Sequence, residues 1–180
     1  MPTENELKFV IDKKCEKKIK KISKESYDIN QGYLIATRGI TVRIRKSIEK
    51  HNKVCKNYFT LKVNTAGRTI EIEQEIDERD FKDLWNIALN KLQKIRYVLK
   101  NKKERWELDF FKDYKSQTYM AVAELEMPED QQHPNTIPDI VKDNLIYQVP
   151  LVDIRFSNKL LSDARYAKEL VKEIKKKEKK

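Results

Sequence analysis

The chain has 180 residues, of which 39 are Lys or Arg and 29 are Asp or Glu, giving a formal net charge of +10 with 38% of side chains charged. An ordinary globular domain carries roughly 25%. Hydrophobic residues still reach 39%, with eight Tyr, six Phe and two Trp, so one compact core is expected and disorder throughout is excluded. Three Gly and five Pro rule out a collagen-like or Gly-rich linker protein. Cys15 and Cys55 lack CxxC spacing, and His51 and His133 have no partners at zinc-ligand intervals, which excludes disulfide scaffolds and zinc sites. Residues 1–14 hold no apolar run behind a basic segment, and no run of 18 apolar residues occurs. The expectation is a protein neither membrane-spanning nor secreted by a standard signal, with the cytoplasm as default compartment. Its excess positive charge calls for a polyanionic partner.

In chain order, Leu7 and Phe9 alternate with Glu6 and Lys8, the period-2 pattern of a strand with two unlike faces. A Lys-rich segment from Cys15 to Lys24 carries a short helical signal. Strand patterns resume at Val42 and Ile44 against Arg43 and Arg45, then at Leu61 and Val63 against Lys62. Ile70, Ile72 and Ile76 alternate with Glu71, Glu73 and Glu75. Asp77 then reads as the N-cap of a helix bearing Phe81, Leu84, Trp85, Ala88 and Leu92. Three more strands follow: Ile95 and Tyr97 against Lys94 and Arg96; Trp106, Leu108 and Phe110 against Glu107 and Asp109; Leu125 and Met127 against Glu124 and Glu126. Residues 128–138 read as a loop and 138–144 as a short helix. A final basic helix begins near Asp163, with Ala167, Leu170, Val171 and Ile174 as its apolar stripe. The expected organisation is one domain over 1–160, then a basic helix and frayed tail over 161–180.

A charged strand face can simply be a wet one. Here, however, each strand repeats one sign at i and i+2, as in Glu4 and Glu6, Arg43 and Arg45, Lys94 and Arg96, Glu124 and Glu126. Such neighbours repel, so repetition strand after strand points to ions held between strands. If the sheet curls closed with those faces inward, helices cover the apolar faces outside. Burying so many ions costs several kcal/mol each without partners, so the bore is expected to be wet and balanced by ligands. Carboxylates suit Mg²⁺ or Mn²⁺, and Arg and Lys suit phosphate oxygens. Phosphoryl transfer requires little beyond positioned reactants, stabilised charge and a metal.

The residues resemble a known family. Glu4, Glu6 and Lys8 form an ExExK signature like that of the CYTH domain, or triphosphate tunnel metalloenzymes. The likeness continues through Gln31-Gly32-Tyr33-Leu34, Arg43 and Arg45, Lys62, Glu71 to Glu75, Lys94-Ile95-Arg96-Tyr97, Trp106 to Asp109 and Glu124 to Pro128, ending near Arg155 and Asn158. This resemblance implies an α+β fold, mainly antiparallel β, built as an eight-stranded closed tunnel barrel with a charged interior and helices packed outside. It implies Glu4, Glu6 and Lys8 as catalytic residues, with Glu4, Glu6, Asp109, Glu124 and Glu126 as Mg²⁺ or Mn²⁺ ligands. Lys8, Arg43, Arg45, Lys62, Lys94, Arg96 and Arg155 would bind phosphate, and Glu71, Glu73 and Glu75 form a supporting acidic strand.

The leading functional reading is metal-dependent hydrolysis of a short triphosphate, in the simplest case inorganic tripolyphosphate to pyrophosphate and phosphate. The same motifs serve a class IV adenylyl cyclase or a hydrolase of thiamine triphosphate, nucleotides or RNA 5′ ends. A catalytically silent module binding polyphosphate or nucleotide, or a basic RNA-binding protein, is the reading from another class, and the +10 balance supports it. The acidic pairs argue against a nucleic-acid partner without excluding one, no membrane partner is expected, and apolar strand faces leave room for a homodimer.

Overall fold

The computed structural model describes residues 5–37, 39–65, 68–128, 130–131, 133–151 and 153–177. The chain runs through β1 (Glu6–Ile11), a 3₁₀ turn (Lys13–Cys15), α1 (Glu16–Ile22), β2 (Glu25–Thr37), β3 (Ile40–Glu49), β4 (Cys55–Thr65) and β5 (Arg68–Ile76). It continues as α2 (Glu78–Ile87), β6 (Asn90–Asn101), β7 (Glu104–Lys112), β8 (Thr118–Glu126) and α3 (Asp139–Lys142). Last come β9 (Leu145–Val149), a second 3₁₀ turn (Ile154–Phe156), α4 (Asn158–Leu161) and α5 (Ala164–Lys177). The seven alternating segments are all strands. Asp77 caps α2 by accepting a hydrogen bond from the Asp80 amide at 2.8 Å, and Asp163 caps α5 through the amides of Arg165 and Tyr166.

The strands pair antiparallel in one sheet, in the order β5-β4-β3-β2-β6-β7-β8-β1-β9. Register sets unlike charges side by side on one face: Lys8 opposite Glu124, Arg96 opposite Asp109 and Lys62 opposite Glu71. Closure is where expectation and structure part. The sheet has nine strands, not eight, and its edges β5 and β9 are not hydrogen-bonded to each other among the described residues. It is an open sheet curled around its charged face. β9 has only five residues, and the chain leaves it for a helical segment from which Ile154, Ser157, Asn158, Lys159 and Leu160 line the concave side.

Two apolar layers stabilise this shape. On the convex side Leu7, Phe9, Trp106, Leu108, Phe110, Ala123 and Leu125 are buried under α1 and α3 through Cys15, Ile19 and Val141. On the charged face, beyond the last ionic residues of each strand, Val10, Met120 and Val122 meet Leu161 of α4 and Ala167, Leu170 and Ile174 of α5. The period-2 rule puts Val10 with Lys8 and Val122 with Glu124, so α5 closes one end of the concave side while α2 packs outside. The Tyr119 hydroxyl donates to the Leu161 carbonyl at 2.7 Å and ties that plug to β8.

α2 approaches β2 closely because residue 32 is glycine. A Cβ there would meet Ala88 Cβ at 2.9 Å and Trp85 Cε3 at 3.3 Å. Gly32→Ala is expected to cost about 1–3 kcal/mol by overpacking. Ala88→Gly added to it should recover part of that loss, a coupling measurable by denaturant melts of the two single variants and the double.

Candidate active site

The curled face encloses a cavity of about 860 Å³. Its cations are Lys8 from β1, Arg43 and Arg45 from β3, Lys62 from β4, Lys94 and Arg96 from β6, and Lys159 from α4. Its carboxylates are Glu6 from β1, Glu71 and Glu73 from β5, Glu107 from β7, and Glu124 and Glu126 from β8. Seven cations therefore face six carboxylates. Strand alternation explains why one stretch of sequence delivers both a charged wall and an apolar back.

The two signs are arranged in order. On one flank Arg43 reaches Glu71 at 3.3 Å, Arg45 reaches Glu73 at 3.2 Å and Lys62 lies 3.7 Å from Glu71. Thr60 also donates to Glu73 at 2.9 Å. The Nε atoms of Arg43 and Arg45 are buried without a hydrogen-bond partner among the described residues. Burial pulls the Arg45 guanidinium below its ordinary value, with Glu73 opposing. On the other flank Lys8 bridges Glu6 at 2.9 Å and Glu124 at 3.2 Å. Burial alone would depress the Lys8 ammonium, but Glu124 and Glu6 outweigh it and raise its pKa.

On the same concave face, covered by the side chains it pairs with, lies Asp109, 0% exposed, holding Lys94 at 2.5 Å and Arg96 through a fork of two 2.7 Å hydrogen bonds. Arg96 also pairs with Glu107 and, at 3.3 Å, with Glu124. Burial would raise the Asp109 carboxyl, yet Arg96 and Lys94 reverse this and hold it well below the usual carboxylate range. Lys94, 3% exposed, is drawn below its ordinary value by burial, with Asp109 opposing. Arg96 keeps Asp109 ionised, so the cluster is a charged one.

The structure brings most of the expected residues to one wall: Glu6, Lys8, Arg43, Arg45, Lys62, Glu71, Glu73, Lys94, Arg96, Glu124 and Glu126. Glu4 lies outside the described residues. Asp109, expected as a metal ligand, is covered by the two cations it pairs with and does not line the cavity. Glu75 stands opposite Tyr58 beyond the cavity lining. Arg155 is also not in the wall: it closes on Asp153 at 2.7 Å and on Glu173 of α5 at 3.6 Å. Lys159 was not anticipated and takes a wall position, its ammonium on the Ala36 carbonyl at 2.7 Å. The local signal was there: Asp153 two residues before Arg155 forms an Asx turn that captures the guanidinium, while Ser157 caps a helix that throws Lys159 forward. Tyr33 is buried and accepts a hydrogen bond from Gln31 at 2.7 Å, and burial pushes its phenol up to about 12.

Among the described residues no three acidic, histidine or cysteine side chains already surround one point suited to a metal ion. The donor types nevertheless fit a hard cation. Glu6 stands opposite Glu126 and Glu107 opposite Glu124 in register, all at the acidic end, where a second hollow of about 420 Å³ opens between them and Pro128. Glu126 has no ion pair among the described residues.

No family model and no curated protein matches the chain, but solved structures share its fold. Two structures of NE1496 superpose with a TM-score of 0.56. One, described as an inorganic triphosphatase, is 24% identical and covers 87% of this chain and 95% of its own. The other is 26% identical over 89% of this chain and 97% of its own. A Bacillus halodurans protein described as a "putative adenylate cyclase" is 19% identical, with 86% and 97% covered and a TM-score of 0.56. The likeness establishes the fold, and it is a fold that these proteins use with differently described activities. No helix among the described residues is long and apolar enough to cross a membrane.

The Asp109 cluster makes a sharp stability prediction. Asp109→Ala leaves Lys94 and Arg96 buried without their shared anion and is expected to cost about 3–5 kcal/mol, whereas Glu71→Gln at the half-exposed flank costs about 0–1 kcal/mol. Because the folded carboxyl is depressed, its contribution is present above the unfolded pKa near 3.9 and is lost only as pH falls through the lower folded value. Acid titration of stability in wild type and Asp109→Asn should therefore differ in slope below about pH 4.

Proposed function

We propose that the chain is a divalent-metal-dependent triphosphatase acting on a short triphosphate, most simply inorganic tripolyphosphate. The carrying observation is the pair of buried Arg43 and Arg45 Nε donors left without partners among the described residues, in a wall of seven cations. Buried donors of that kind cost free energy until something accepts from them, and a phosphate chain offers acceptor oxygens on every unit. Shared fold with an inorganic triphosphatase and with a protein described as a cyclase supports the same class of substrate.

In this reading Arg43 and Arg45 grip one end of the chain and Lys62 and Lys159 flank it, while Lys94 and Arg96 hold the phosphoryl group near the acidic end. Asp109 keeps those last two side chains fixed, so their donors need no reorganisation when charge develops on the transferred group. Glu6, Glu124 and Glu126, with Glu4, would hold Mg²⁺ or Mn²⁺, which supplies charge neutralisation and a water of lowered pKa. Lys8, between Glu6 and Glu124, limits their mutual repulsion. The cyclase reading shares every phosphate contact and differs in the attacking group, a ribose hydroxyl in place of water.

Purified protein with Mg²⁺ or Mn²⁺ is expected to release phosphate from tripolyphosphate. Glu6→Ala should abolish that release, and Arg45→Ala should lower it by about 10²-fold or more. Full turnover in Glu6→Ala would sink the assignment, and cyclic AMP as the main product from ATP would replace it with the cyclase. Independently, tripolyphosphate at 100 times its Kd should stabilise the fold by about 2.7 kcal/mol in a thermal melt.

A further inference from the structure

The trough does not account for the charge of the molecule. Its wall is nearly neutral, with seven cations against six carboxylates, while the chain carries +10. Residues 13–24 hold seven lysines against one glutamate, and residues 100–105 hold four cations against one glutamate. Together these two segments carry +9.

They are also neighbours in space. α1 lies along β6 on the convex side; the Ser23 hydroxyl donates to the Val98 carbonyl at 3.0 Å, and Glu25 of β2 pairs with Val98 and with Arg105. Lys13, Lys14, Lys17, Lys18, Lys20, Lys21 and Lys24 are exposed, as are Lys100, Lys102 and Lys103 at the β6–β7 turn. None of them pairs with a carboxylate among the described residues. A hollow of about 560 Å³ bordered by Lys24 and Lys100 separates the two groups.

We propose that this convex lysine surface is a docking site for the phosphate backbone of duplex nucleic acid, independent of the trough and of its proposed chemistry. Three observations select that partner. The charges are unpaired, so an anion gains them without breaking ion pairs. Tyr114 is the only exposed aromatic among the described residues, too few to stack the successive bases of a single strand. The apolar residues Cys15 and Ile19 of this segment are spent in the core, leaving Ile22 alone exposed, too little to enter a bilayer. Lysine point charges without base-reading side chains imply binding indifferent to sequence.

The test is anisotropy of a fluorescein-labelled RNA duplex of about 20 base pairs titrated with the full chain from about 50 to 200 mM salt, where log K should fall by about 0.9 per phosphate contact for each unit of log salt. Replacing Lys17, Lys18, Lys20 and Lys21 together by Gln should flatten that slope by several units and weaken binding about tenfold or more, with tripolyphosphate turnover unchanged. Lys102 holds a positive φ of 56°, a conformation that glycine adopts more readily. Lys102→Gly should thus weaken duplex binding while the melting temperature holds or rises, a combination a packing role would not give. Three results would overturn the proposal: no duplex binding at low salt, binding that survives the lysine changes but is displaced by tripolyphosphate, or retention of the chain by phosphatidylserine vesicles without any affinity for the duplex.

Discussion

The trough depends on a carboxylate that never reaches it. Asp109 is fully buried and neutralises two cations at once, Lys94 and Arg96, both themselves largely withdrawn from solvent. Bringing three ionised groups out of water is unfavourable unless the geometry is close and the remaining donors are met. Here the fork of Arg96 onto Asp109 and the short Lys94 contact satisfy that condition. The positive residue of the cluster then faces the cavity with its direction set from behind. A cation held in this way has little freedom to lose when an anion arrives, which is the sense in which such a wall is organised in advance.

From that cluster outwards the ionic pairs become looser. Lys8 is shared between two glutamates, and Arg43 and Arg45 meet β5 at 3.2 to 3.3 Å through single nitrogens. This gradient follows from topology. β6, β7 and β8 sit in the middle of the sheet, covered by α1 and α3 behind, whereas β5 is an edge strand with Ile72 exposed on its back. The flank with the least apolar support is thus the one whose guanidinium Nε donors lack partners among the described residues.

The strands were legible in the sequence where alternation was strict, and the reason is physical: one buried face and one ionic face impose a period of two. β2 escaped that reading although it is the longest strand. Its Glu25–Thr37 stretch is sandwiched between β3 and β6, its register shifts between Tyr33 and Ile35, and Gly32 yields its back to α2, so polarity does not alternate along it. β9 is five residues at an edge and equally silent. Closure was beyond the sequence altogether, because it is a property of which edges meet and no local pattern encodes it. At the site, sign and spacing identified the wall residues but not depth. Asp109 and Glu124 share one pattern, yet one is sealed beneath the side chains it pairs with and the other lines the cavity. Arg155 and Lys159 differ by four residues, and an Asx turn at Asp153 decided which of them would be free to point inward.

Charge also divides the molecule into two electrostatic regions with different ranges. Inside the trough, opposite signs alternate at 3 to 4 Å, so the wall looks almost neutral from beyond a Debye length of about 8–10 Å and is specific only at contact. The lysines of α1 and of the β6–β7 turn are not cancelled in this way and, together with the basic α5, contribute to the far field. Salt should therefore screen the exposed lysines strongly and the partly desolvated ion pairs of the trough much less. The sequence encodes this division directly: strand positions pair their ions across the sheet, whereas the lysines of α1 and Lys100, Lys102 and Lys103 have no carboxylate partner among the described residues.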